Sequence, residues 1–247
     1  IARGINYQVK IDQTPPTVPT LTMNQLNTSR MARLINFLSF GNWMNTGAEV
    51  VMSSTDGTSG IDNYTYIETD TKGSSNTKTS TTGKVTYQDD VEIGITAKAC
   101  DKAGNCSDVS SGETLMIDRK APDITGVKDK SVYKYYYLPR FIHVKDAGSG
   151  LSYAEYLKDG TQAGTIQENV NERIDGVGKY EVNAIDNAGN ESTLSFEIVP
   201  LPNIDGIDGS DESKDIIDQV QDEYEEVKDN LTDEERKEYE DWIKDAE

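Results

Sequence analysis

Three observations predict an all-β chain, two tandem β-sandwich domains followed by an acidic C-terminal α-helical segment. Short motifs recur in the same order along the chain. Apolar residues alternate with period two in short runs bounded by Gly, Asn, Asp and Ser. Beyond residue 210 both the period and the charge change.

The recurrences set the domains. IDQTPPT (Ile11–Thr17) returns as IDRKAPD (Ile117–Asp123), 106 residues on. DGTSGI (Asp56–Ile61) returns as DAGSGL (Asp146–Leu151), 90 on, and ACDKAGN (Ala99–Asn105) as AIDNAGN (Ala184–Asn190), 85 on. The shrinking offset gives the first copy extra residues, mostly before Asp56. Proline fixes φ and lacks an amide donor, so it suits connectors and strand edges. Pro15, Pro16, Pro19, Pro122, Pro200 and Pro202 fall near the junctions these echoes define. The first domain is therefore placed at about 14–119, the second at about 120–200 and the tail at 201–247. Residues 1–13 read as the end of a preceding repeat or an expression remnant, and the chain, opening on Ile1, as a piece of a longer protein.

Within each copy the strands follow from alternation. VEIGITAKA places Val91, Ile93, Ile95, Ala97 and Ala99 on one face, and LSFEIV does the same for Leu194, Phe196 and Ile198. Several such runs per domain, separated by turn residues, point to a sandwich. In the tail Ile216, Ile217, Val220, Tyr224 and Val227 fall near helical spacing. TDEE (Thr232–Glu235) has the form of a capping box, in which hydroxyl and carboxylate satisfy free amides at a helix start. Helices are predicted at about 211–229 and from about 233, the second with Tyr239, Trp242 and Ile243 on one stripe.

Charge narrows the partners. The chain carries 44 acidic and 24 basic residues, a formal net charge of −20. Of these, 17 acidic and 5 basic lie in 211–247. Phosphate binding needs concentrated positive charge, which argues against nucleic acid and against an anionic membrane surface. No stretch approaches the roughly 20 apolar residues of a membrane helix.

The ordered set D-x-x-S-G-[IL], A-x-D-x-A-G-N and I-D-x-x-x-P resembles the Ig-like repeats of bacterial cell-surface proteins of the Gram-positive type. RLINFLSFGNWMN (Arg33–Asn45) also resembles an insertion found in some of those repeats. The resemblance covers about residues 7–200. It implies tandem Ig-like sandwiches serving as spacers or adhesive segments on a cell wall. Two departures stand out: the cysteine positions of the first copy hold Ile185 and Glu191 in the second, and no LPxTG-type sorting signal is visible.

Candidate chemistry starts with the two cysteines. Asp and Asn fold back on local amides and Gly tolerates positive φ, so DKAGN is first a turn. Cys100 and Cys106 flank it on neighbouring strands. A disulfide is the expectation, with free thiols the alternative and metal ligation the third reading, since two cysteines and His143 fall short of the four ligands of structural zinc. His143 lies in the alternating RFIHVKD and reads as a strand residue. No H-E-x-x-H, P-loop or G-x-S-x-G occurs, so no catalytic residue is assigned and no cofactor or metal site is expected. Asp56, Asp101, Asp146 and Asp186 recur at matched loop positions. One carboxylate per loop does not supply the six to eight oxygens of calcium, so they read as turn caps; the denser DGIDGSDE (Asp205–Glu212) lacks the order of EF-hand ligands. Tyr133, Tyr135 and Tyr137 in SVYKYYYLPRF would share a strand face and form a candidate glycan platform, against the reading that some of them cover the core. An isopeptide bond, which needs a buried Lys beside Asn or Asp, is a further option for this class.

The reading is a non-enzymatic structural or adhesive spacer, extracellular (cell-surface or secreted) and monomeric, with a host glycan or matrix protein as candidate partner. The alternatives are a glycan-binding module using exposed tyrosines, or spacer domains of a larger secreted carbohydrate-active enzyme.

Overall fold

The computed structural model describes residues 9–26, 42–135, 140–200, 221–222, 224–225, 228–230 and 233–246; for Lys134 and Tyr135 it describes the backbone. The chain divides into two units, Ile1–Arg119 and Lys120–Glu247. Among the described residues each holds a sandwich built from eight strands.

In the first unit one sheet has the order β1 (Thr20–Gln25), β3 (Ala48–Ser53), β6 (Lys84–Tyr87). The other has the order β2 (Trp43–Met44), β8 (Glu113–Ile117), β7 (Val91–Asp101), β4 (Ile61–Asp70), β5 (Ser75–Ser80). Every pairing is antiparallel except β2 with β8, which is parallel. The alternation of VEIGITAKA becomes the inner face of β7: Ile93, Ile95, Ala97 and Ala99 are buried. They meet Val50 and Met52 of β3, Tyr64 and Tyr66 of β4, and Leu115 and Ile117 of β8. Side chains from both sheets thus form one core, and each fully buried Leu or Ile contributes about 1.5–3 kcal/mol over its exposed state.

The second unit repeats this order. Its three-stranded sheet is β9 (Asp123–Thr125), β11 (Arg140–Lys145), β14 (Asn171–Ile174). Its five-stranded sheet is β10 (Ser131–Tyr135), β16 (Glu191–Pro200), β15 (Gly178–Asp186), β12 (Leu151–Lys158), β13 (Thr161–Thr165). Here too the second and eighth strands, β10 and β16, run parallel. Leu194, Phe196 and Ile198 of β16 face the core with Val182 and Tyr180 of β15 and Ile142 and Val144 of β11. In both units the first, third and sixth strands form one sheet, and the fifth, fourth, seventh and eighth lie side by side in the other. This is the strand order of an Ig-like sandwich. The motif echoes in the sequence therefore mark a duplicated topology.

One sequence expectation is corrected by burial. Tyr133 lies on β10 opposite Ile198. Paired residues share a sheet face, and Ile198 faces the core, so Tyr133 does too and is only 7% exposed. Its ring meets Phe196 edge-on at 6.0 Å, Arg140 lies over it at 4.4 Å, and its oxygen accepts from the Lys128 amide at 2.7 Å. The expected platform thus loses Tyr133; the side chain of Tyr135 and all of Tyr137 lie outside the described residues. The isopeptide option needs a buried lysine; among the lysines whose side chains are described none is buried, and Lys134 lies outside them.

His143 sits on β11, half-buried, with its backbone paired to Asn171 and Thr125. In the acidic segment Asp233–Ala246 form a helix, α1. Tyr224 donates its hydroxyl to Glu240 at 2.5 Å, and burial together with this carboxylate pushes its phenol up to about 12. Most of the expected helix at 211–229, the DGIDGSDE stretch and Arg33–Gly41 lie outside the described residues.

Candidate functional site

The matched aspartates lie where each unit's loops meet its entering segment. In the first unit Asp101 ends β7 and begins the DKAGN turn. Its Oδ1 accepts the amides of Ala103 (2.9 Å) and Asn105 (2.8 Å), and its Oδ2 accepts Asn105 Nδ2 (2.8 Å). Gly104 takes φ +94°, which a β-carbon would strain. Asp56 caps the loop before β4, its Oδ2 accepting from Thr58, Ser59 and Gly60 at 3.1, 2.8 and 2.6 Å. The two loops are joined by the Lys102 amide donating to Gly60 O at 3.1 Å.

A third aspartate arrives from the entering segment. Asp12 Oδ2 accepts from Ser59 N at 3.0 Å and its Oδ1 from Thr14 N at 3.0 Å, while Asn105 Nδ2 donates to Asp12 O at 3.2 Å. Asp12, Asp56 and Asp101 each bring one carboxylate oxygen within 4.8 Å of the others. The Ser59 hydroxyl beside it and the Thr14 amide hold the Asp12 carboxyl below the usual carboxylate range, against opposing contributions from burial and from Asp101. For Asp101, burial pushes upward but is outweighed by the Asn105 side chain and the turn amides, and its carboxyl is also lowered.

The second unit builds the same turns. Asp186 Oδ1 accepts from Ala188 and Asn190 amides, each at 2.8 Å, and Oδ2 from Asn190 Nδ2 at 2.7 Å. Asp146 Oδ2 accepts from Gly148 and Gly150 at 3.0 and 2.7 Å. The Asn187 amide donates to Gly150 O at 2.9 Å, as Lys102 does to Gly60. Asn190 Nδ2 also donates to Lys120 O at 3.3 Å, and Ser192 Oγ to Pro122 O at 2.5 Å. In each unit, then, the Asn of the A-G-N turn holds the main chain that enters the sandwich.

Chemically the arrangement is an anchor. The three carboxylates that meet here accept backbone amides from Thr14, Ser59, Thr58, Gly60, Ala103 and Asn105. The sequence placed Asp56, Asp101, Asp146 and Asp186 on matched loops but missed that Asp12 joins the first pair. The signal was present: Asp12 heads the IDQTPPT echo whose counterpart begins at Ile117 and Asp118.

Cys100 and Cys106 form a disulfide across the ends of the same turn. The residues face each other in an isolated antiparallel bridge. From there to the ladder of β7 with β8, which runs from Ile95–Glu113 to Val91–Ile117, four residues of β7 (Thr96–Ala99) face six of its partner (Ser107–Gly112). The excess bulges. Ser107 and Ser110 hydroxyls substitute for ladder acceptors, taking the amides of Ala99 (3.1 Å) and Ala97 (3.0 Å).

No family model matches the chain, and no curated protein matches it. Similar solved structures include the three N-terminal domains of the Highly Immunogenic Outer Capsid protein of bacteriophage RB49, at 14% identity and a TM-score of 0.31, covering 74% of this chain and 59% of that one. They also include the N-terminal eight Ig domains of Down Syndrome Cell Adhesion Molecule, at 10% identity and a TM-score of 0.41, covering 75% and 25%. The Ig1-2 module of the Drosophila receptor protein tyrosine phosphatase DLAR matches at 14% identity and a TM-score of 0.23, covering 65% and 93%. The chain thus spans 59% and a quarter of the first two. The Ig-like assignment rests on strand order and not on these likenesses.

Proposed function

We propose that this chain is a non-enzymatic structural spacer, with adhesive capacity, from an extracellular bacterial surface or secreted protein. The observation that carries it is the duplicated clamp. Each unit uses the Asn of its own A-G-N turn to fasten its own entering segment, at Asp12 by Asn105 and at Lys120 by Asn190. A fold that secures its inlet in this way suits serial repetition along a chain that transmits tension. The disulfide fits an oxidising compartment. The acidic tail, read as helical, belongs to the same proposal as a solvated, charged continuation, and the chain works as a monomer without a cofactor.

Pulling on the chain by its two ends tests this. The expected record has two separate unfolding events, each releasing roughly 300 Å of chain. Asn105→Ala and Asn190→Ala should lower the force of the event in their own unit. A single noncooperative extension would sink the spacer reading. A glycan array and a matrix-protein panel probe adhesion alongside it: saturable binding lost in Tyr135→Ala would turn the reading toward a glycan-binding module.

A further inference from the structure

We propose that the Cys100–Cys106 disulfide is a latch: its reduction releases the turn and return arm of the β7–β8 hairpin tip, residues 102–112, from β7, while the body of the first sandwich, β7 on β4 included, stays folded. The inference does not depend on the spacer reading.

At the tip β7 loses its regular ladder on the β8 side, while its other edge stays paired to β4 from Ile61–Asp101 to Asp70–Ile93. Between Ile95–Glu113 and Cys100–Cys106 the ladder is broken, and two serine hydroxyls and two amides, Ser107 N to Ala99 O (2.9 Å) and Ser110 N to Ala97 O (2.7 Å), span the gap. The matching hairpin of the second unit pairs continuously from Gly178–Ile198 to Ile185–Glu191 and has Ile185 and Glu191 where the cysteines stand. The fold therefore makes this turn without a covalent bond when the ladder behind it is complete. In the first unit the bond stands in for the missing ladder. Cys106 is exposed and Cys100 half-buried, so a small reductant meets the bond from solvent.

A dithiol supplies two electrons and two protons. Its thiolate attacks Cys106 Sγ, the bond between the two Sγ atoms breaks, and Cys100 leaves as a thiolate that takes a proton. The second thiol of the reductant then displaces Cys106, which takes the other proton, and closes the reductant's own disulfide. Opening withdraws Asn105 from Asp12 O and the turn amides from Asp101, so the entering segment loses one of its holds while Ser59 N stays on Asp12 Oδ2.

Hydrogen exchange read by mass spectrometry on the full chain, oxidised and in excess dithiothreitol, tests the latch. Exchange at Ala97, Ala99, Asp101, Ser107 and Ser110 should rise at least ~10-fold on reduction. The amides of 91–95 and 113–117 should keep their protection, and the second unit's hairpin serves as internal control. Unchanged protection at the tip would overturn the latch, since the turn's own hydrogen bonds would then suffice. An equal rise throughout the first unit would overturn it too, because the bond would then be a staple of the whole sandwich. The double variant Cys100→Ala, Cys106→Ala, without reductant, should reproduce the reduced pattern; a variant that fails to fold, or one protected like the oxidised chain, counts against the proposal.

Discussion

In the first unit the closing hairpin pairs at its base, bulges through Ser107–Gly112 and is pinched at its tip by Cys100–Cys106. In the second the same hairpin pairs from end to end without cysteine. The units differ at another corner as well. Tyr180, near the start of β15, donates its hydroxyl toward the backbone oxygens of Asp175 (2.9 Å) and Gly176 (2.8 Å) and stacks on Phe196 with ring centres 5.0 Å apart. This is the tyrosine corner of Ig-like sandwiches. By the 85-residue offset the first unit has Ile95 there, with no hydroxyl to offer. One topology is thus closed in two ways. The fold closes the turn with a disulfide in one unit and a continuous ladder in the other, and it builds the corner with a tyrosine hydroxyl in the second unit and without one in the first.

The comparison breaks most visibly at Tyr180. Tyr180→Ala should cost the second unit about 3–5 kcal/mol through lost packing and leave the first unit's transition in place. Two resolved transitions in calorimetry, with one displaced, are the expected result; both moving together would mean that the units are not independent. Next comes Asp186→Ala, which strands the Ala188 and Asn190 amides and should cost about 1–3 kcal/mol. Asp101→Ala removes the matching cap, yet the disulfide still closes that turn, so its unit should lose less. Chemical denaturation of both variants, before and after reduction, checks the ranking; reduction, which already opens the Asp101 turn, should widen the difference. Tyr180→Phe keeps the ring and removes the corner's donor, for about 1 kcal/mol.

Acid gives the smallest contrast. A carboxyl lowered in the folded state leaves the unfolded chain binding more protons. Its contribution is therefore complete above the unfolded value, near ~3.9, and is lost as pH falls through the lower folded value. Asp12 and Asp101 act this way in the first unit, and Asp129, lowered first by the Ser195 amide, in the second. The first unit's melting temperature should fall more steeply below about pH 4. Equal slopes for the two units would remove the contrast.

Much of this was legible in the chain. The alternation in VEIGITAKA and LSFEIV is local, and it placed the buried faces of β7 and β16. The D-x-A-G-N turn is local too, because Asp and Asn bond to amides two to four residues away and Gly supplies the positive φ. What the sequence could not carry was pairing. Tyr133 turned inward because β10 lies parallel to β16, a partner more than sixty residues away that decides which face of a short aromatic run meets the core.

The sequence by itself determined the turns, which rest on residues within a few positions of one another, and the duplication, which rests on those turns recurring in order; it made a disulfide the first of three readings for the cysteines. The tertiary structure alone decided that Asp12 joins Asp56 and Asp101, that the first closing hairpin bulges behind its disulfide, and that Tyr133 is a core residue. The first and the last depend on which distant segments become neighbours, and that is set by the packing of two sheets around a shared core; the bulge follows from six residues facing four within one hairpin.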